Sequence, residues 1–192
     1  MRQLLSILVA STFGLALGTT PLRAQATPAP LPVPGPVLVA VPAAAPADVA
    51  SIDAIIAALY DVISGPAGQP RNWTRMRSLF IPGGRLMPTR QQQGATVMRI
   101  LEVNDYIALS GPQLERIGFR ERETARRVEQ FGHIAHVFST YEGRSATDST
   151  VMRGINSIQL MNDGTRWWVV SLFWEAERPD NPLPAKYLRS GN

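Results

Sequence analysis

From residue 48 onward the apolar positions sort the chain into helices first and strands afterwards. Ile52, Ile55, Ile56, Leu59, Tyr60 and Ile63 fall on one stripe at the 3.6-residue period, which predicts an amphipathic helix with one buried face. Asp48 or Ser51 can cap it, Asp53 lies near its positive end, and Gly65-Pro66 stops it. Asn72 can cap a short second helix carrying Trp73, Met76, Leu79 and Phe80, which the Ile-Pro-Gly-Gly run at 81–84 breaks. Residues 96–101 read as a short strand. Asn104 is then expected to cap a third helix with Tyr106, Ile107 and Leu109 inward, interrupted or kinked at Gly111-Pro112 before Leu114 and Ile117.

From Phe119 the period changes to that of strands. Residues 119–130 are long and charged, as suits a strand with one solvated face or an exposed edge. Residues 134–142 alternate and are rich in β-formers, and 151–160 is a second such run. Residues 166–177 carry Trp167, Trp168, Val169, Val170, Leu172, Phe173 and Trp174, apolar on both faces and therefore central. Asn162-Asp163-Gly164 signals a tight hairpin, and Phe131-Gly132-His133 a turn between the two preceding strands. Three helices followed by a four-stranded meander predict an α+β layout. The sheet must curl over the helix stripe to bury it, leaving a cone with a cavity suited to a small molecule.

The part before residue 48 is of another kind. Arg2, the apolar run from Leu4 to Leu17, and Ala24-Gln25-Ala26 have the three parts of a cleavable secretory signal over residues 1–26. The run is shorter than the roughly 20 residues a spanning helix needs, which disfavours a retained anchor and predicts no membrane span after cleavage. Residues 27–47 are Pro, Ala and Val without charge, an extended tether in which neither helix nor sheet can propagate. The folded domain is therefore expected over 48–189, and its location is periplasmic or secreted.

Charge and composition mostly exclude. The chain has 19 Lys+Arg and 15 Asp+Glu, and two of the cations, Arg2 and Arg23, fall in the signal, leaving 17 − 15 = +2. That is too little for a nucleic-acid footprint. There is no cysteine, hence no disulfide, thiol catalysis or cysteine zinc site. His133 and His136 lack a third ligand at suitable spacing, so no metal is expected, and no motif calls for another cofactor.

Several strings carry a resemblance: Phe131-Gly-His-Ile-Ala-His-Val-Phe-Ser-Thr-Tyr-Glu142, Arg153-Gly-Ile-Asn-Ser-Ile-Gln-Leu160 and Asp163-Gly-Thr-Arg-Trp-Trp-Val-Val-Ser-Leu-Phe-Trp174. With the order of elements, they resemble the NTF2-like (SnoaL-like) superfamily over about residues 49–188. The tail from Pro179 to Leu188 resembles a subgroup of exported bacterial members of unknown function. The resemblance implies an α+β cone, with three N-terminal helices packed on a curved antiparallel sheet, and frequent homodimerisation through that sheet. It leaves activity open, because the fold hosts isomerases, dehydratases, hydrolases and non-catalytic binders.

The isomerases of the superfamily work with carboxyl groups and a tyrosine in an apolar cavity. Strand segments 134–141, 151–160 and 166–174 contain no acid, so that machinery is not visible in them. His136, in mid-strand, is the candidate catalytic acid–base, on either the cavity face or the outer face. Tyr60, Trp73, Tyr141, Arg153, Asn156 and Trp174 are candidate ligand-binding residues. Each has a plainer alternative: the aromatics as core, Arg153 as a surface partner of Glu142. Alternation puts His136 and Tyr141 on opposite faces unless a bulge intervenes. The expected function is binding of a small apolar or amphipathic molecule in the cone by a homodimer. The alternative is an isomerase, dehydratase or hydrolase using His136.

Overall fold

The computed structural model describes residues 40–147 and 150–189; the expected signal peptide, and the tether up to residue 39, lie outside them. The end of the expected tether already belongs to the fold: Pro46 opens a single helical turn, α1 (Pro46–Val49), and Val49 is buried. Proline suits that position because the first turn needs no amide donor.

Helix α2 (Ile52–Ile63) buries Ile55, Ile56, Leu59, Tyr60 and Val62, and its cap is Ser51, whose hydroxyl accepts from Ala54 N at 3.1 Å. Asn72 caps α3 (Trp73–Leu79) through Arg75 N at 2.9 Å. Arg75 then joins the three helices by pairing with Asp48 at 2.7 Å and with Asp61. Helix α4 (Val103–Ile117) begins one residue before the expected cap. Asp105 accepts from Glu102 N at 3.1 Å, and Asn104 instead receives Arg77 Nε at 2.8 Å. The helix continues through Pro112. Leu109, expected inward, is 55% exposed.

The strands are β1 (Phe80–Gln92), β2 (Ala95–Met98), β3 (Leu101–Glu102), β4 (Phe119–Phe131), β5 (Ile134–Ser145), β6 (Val151–Asn162) and β7 (Trp167–Ala176). They form one sheet in the order β2-β1-β7-β6-β5-β4, with β3 also paired to β1. Strands β4 to β7 are the expected antiparallel meander. The sheet as a whole is mixed, because β1 lies parallel to β7 (Leu86 opposite Leu172, Met87 opposite Phe173). The helix does end before the Ile-Pro-Gly-Gly run, but the run, with Phe80, belongs to a strand that sequence reading did not foresee, as a bulge inside β1 where the register shifts between Phe80 and Arg85. Bulges accommodate residues that cannot keep a ladder, proline and glycine among them.

The curved, unclosed sheet carries α2, α3 and α4 on its inner face. Between them lies one apolar core, with Ile55, Ile56, Leu79, Phe80, Leu86, Val137, Ile158 and Val169 at its centre. On the outer face a single 3-10 turn, Ala185–Tyr187, folds back over β5: Thr140 donates to Tyr187 O at 2.6 Å, and the Tyr187 ring lies 5.0 Å from Phe138.

Candidate functional site

Helices α2 and α4 do not seal the sheet, and a cavity of about 580 Å³ remains between them and strands β4 to β7. Its wall is mostly apolar: Leu59, Met76, Phe80, Leu86, Phe119, Ile158 and Leu172 among others. Into that wall come one carboxyl, Glu121, the carboxamide of Asn156, and the rings of Tyr60, Tyr106, Tyr141 and Trp174. A volume of this size accommodates a drug-sized molecule.

Glu121 is on β4 because alternation fixes its side. Phe119 is buried in the interior, so Glu121 and Glu123 follow it inward, while Arg120 and Arg122 face out. Burial pushes the Glu121 carboxyl up to about 7, opposed only by a hydrogen bond from Asn156 Nδ2 at 3.3 Å. The carboxyl in turn pushes the three phenols up beyond their own burial: Tyr60, Tyr106 and Tyr141 all have raised pKa values, first from burial and then in part from Glu121.

A directed chain of hydrogen bonds fixes Asn156. Glu123 is ion-paired with Arg126 at 2.7 Å and accepts from Ser139 Oγ at 2.5 Å. Ser139, having donated, accepts from the Tyr60 hydroxyl at 2.7 Å, and Tyr60 accepts from Asn156 Nδ2 at 3.1 Å. The amide nitrogen, not its oxygen, must therefore face Tyr60 and Glu121. Ser64 ties the end of α2 to the same strand, accepting from Glu121 N at 2.9 Å.

Tyr141 lies across its partner on β6, Gly154, where a Cβ would stand 2.6 Å from the phenol oxygen and 2.3 Å from Glu175 O. Gly154→Ala is therefore expected to push the ring from its place. A loss of about 1–3 kcal/mol in urea unfolding is the check, as for other overpacked interiors.

Of the residues singled out in sequence, Tyr60, Tyr141, Asn156 and Trp174 meet at this cavity, Trp174 packing edge-on against Tyr106 at 6.1 Å. Trp73 does not; it packs on Gly111 beside a separate surface hollow with Ile107 and Pro112. His136 is on the outer face, where Nε2 meets Ser157 Oγ at 2.9 Å and the ring lies 5.7 Å from Phe138. Its opposition to Tyr141 follows from the uninterrupted β5–β6 register. Arg153 is also outside, bound to Glu177 at 2.8 Å, whereas Glu142, opposite it, pairs with Arg122 and Arg144. Among the described residues no group of three or more His, Asp or Glu could hold a metal ion.

Sequence reasoning missed Glu121 by looking for acids only in the strands after residue 134. The signal was present: the Phe-Arg-Glu-Arg-Glu alternation puts both glutamates on the face of Phe119.

No protein-family model matches the chain, and no curated protein matches it. Solved structures do. A protein from Kribbella flavida superposes with a TM-score of 0.51 at 12% identity, covering 67% of this chain and 90% of that one. Also similar are proteins described as NTF2-like and of unknown function. One from Silicibacter pomeroyi has a TM-score of 0.45 at 15% identity, covering 67% and 94% of the two chains. One from Methylobacillus flagellatus has 0.44 at 14%, covering 67% and 95%. At such identities the likeness is one of fold.

Proposed function

We propose that this is an exported NTF2-like domain that binds a small, largely apolar molecule in its cavity and holds that molecule's polar group against Glu121. The observation that carries the reading is a cavity of about 580 Å³ whose apolar wall is broken, among the described residues, by one partly buried carboxyl and its Asn156 partner. A wall of this kind gains affinity from apolar burial and orientation from a few fixed polar groups. Native mass spectrometry of the purified protein, together with displacement of an apolar fluorescent probe, tests it. An excess mass of a few hundred daltons, or probe binding that a bulky Gly154 substitution abolishes, is expected. A ligand-free mass with no probe binding rejects the reading.

Acid–base catalysis is a second reading, favoured by the titration of Glu121 at about 7, where a carboxyl can both give and take a proton. In this reading Glu121 takes the role that the sequence assigned to His136. Homodimerisation through the outer sheet face is supported by Phe173, which is 39% exposed there beyond the strip covered by the C-terminal turn. Sedimentation at rising concentration is expected to show a dimer that Phe173→Glu dissociates; a monomer throughout rejects it.

A further inference from the structure

We propose that the cavity selects a lipophilic amine, bound as its ammonium ion against Glu121 with its apolar body along the Leu59, Phe80 and Leu172 wall. This rests on the cavity reading above and adds the ligand's charge.

The charge census of the wall is one-sided. Among the described residues, Glu121 is the only acid lining the cavity, and no Lys, Arg or His lines it. An anionic ligand would bring a second negative charge into a space without a counter-ion, which is strongly unfavourable. A neutral ligand could add a donor to the single, long Asn156 contact at 3.3 Å, but no charge to balance the carboxylate, which has about four acceptor sites. An ammonium supplies both the missing charge and up to three donors. The aromatic content of the wall acts in the same direction. Tyr60, Tyr106, Tyr141 and Trp174 surround a space of molecular size, and aromatic rings attract a desolvated cation.

The other charges near Glu121 belong to a different space. From β4 itself come Arg120, Arg122, Glu123 and Arg126, and from β5 Glu142 and Arg144; these line a separate groove between α2 and β4 that Glu121 also borders. Arg122 and Arg144 are held by Glu142, and Arg126 by Glu123 and Asp53. From α2 come Tyr60 and Asp61, the latter paired with Arg75; from α4 comes Tyr106; and from β6 the uncharged Asn156. At Glu121 burial is opposed by the hydrogen bond from Asn156.

The test is titration of the purified protein with three probes of one shape: 2-naphthylmethylamine, 2-naphthalenemethanol and 2-naphthoate. At pH 8 the amine is expected to bind at least about tenfold more tightly than the alcohol, with the naphthoate weakest. Between pH 8 and 5.5 the amine's affinity should fall about 30-fold, the loss of carboxylate for a group titrating near 7, while the alcohol's stays level. Glu121→Gln should abolish both the amine's advantage and its pH dependence while still binding the alcohol. An alcohol or naphthoate that binds at least as well as the amine at pH 8 overturns the amine proposal and leaves the cavity reading intact. So does an amine preference that survives Glu121→Gln. Failure of all three probes overturns both.

Discussion

Glu121→Gln is expected to make the protein more stable at pH 8 by roughly 2–3 kcal/mol, and to change it little at pH 4.5. The carboxyl titrates at about 7 in the fold against 4.5 for the free side chain. A group whose pKa is raised by folding contributes most at a pH below both values, and that contribution is lost as pH rises through the folded value. Each pH step between the two costs about 1.4 kcal/mol, roughly 3.5 kcal/mol in all as an upper bound, less where cavity water reaches the carboxylate. Urea unfolding of the native protein should therefore weaken from about pH 5 to 7 and level off by about pH 8, whereas the variant should stay level over that range. Equal slopes would mean that the carboxylate is solvated, and the site would lose its electrostatic basis. In acid the pH trend reverses for both proteins: Asp48, Glu142 and Asp163 are held low, chiefly by hydrogen bonds from Arg75, Arg144 and Thr165 respectively. Their contribution is present above the ordinary carboxylate range and is lost as pH falls through it.

A side chain that destabilises its own fold near neutral pH is poorly explained by packing. Glutamine would fill the same space and could keep a hydrogen bond with Asn156. Such a cost fits the proposed ligand site, where stability is traded for binding.

The helices were legible because local chemistry decides them. Ser51 and Asn72 cap as their side chains require, and the stripe from Ile52 to Ile63 faces inward as its period requires. The four C-terminal strands were legible for the same reason, and their alternation already separated His136 from Tyr141. What escaped was non-local. Strand β1 carries Pro82, Gly83 and Gly84, which locally say break; only β7, more than 80 residues away in sequence, makes a bulged parallel strand of it. At the site, Tyr60, Tyr141, Asn156 and Trp174 could be named from period alone, but Arg153 and His136 required knowledge of which face is inside. Glu121 was hidden because a strand reading Arg-Glu-Arg-Glu looks wholly solvated until it is divided into faces. The bulge between Glu123 and Ala125 then shifts the pattern, so that Arg126 and Val128, not Ala125 and Arg127, are the next inward residues. No residue-by-residue count across that bulge could have kept the register.

Arg71 shows another kind of dependence, and its replacement should have the larger effect on folding. Its side chain is 7% exposed and reaches no carboxylate. All five of its N–H groups are instead taken by backbone carbonyls: Nε by Ile63, Nη1 by Pro66 and Gln69, Nη2 by Gly65 and Leu114. The guanidinium thus replaces the missing ladder of the loop after α2 and joins it to α4. Gly65 makes room, since a Cβ there would stand 2.6 Å from Nη1. Arg71→Met is expected to cost about 3–5 kcal/mol in urea unfolding, because it strands several buried acceptors at about 1–3 kcal/mol each with partial relief by water. Arg71→Lys should recover little of this, since an ammonium offers three donors and no planar fork. The loop ends at the edge of the cavity, where Gly65 N bonds Phe119 O at 2.7 Å and Ser64 holds Glu121 N. Both variants should therefore speed hydrogen exchange at Gly65 and Gly68 and weaken any ligand held at Glu121. A lysine variant as stable as the native protein would show that charge, and not the fork of donors, holds the loop.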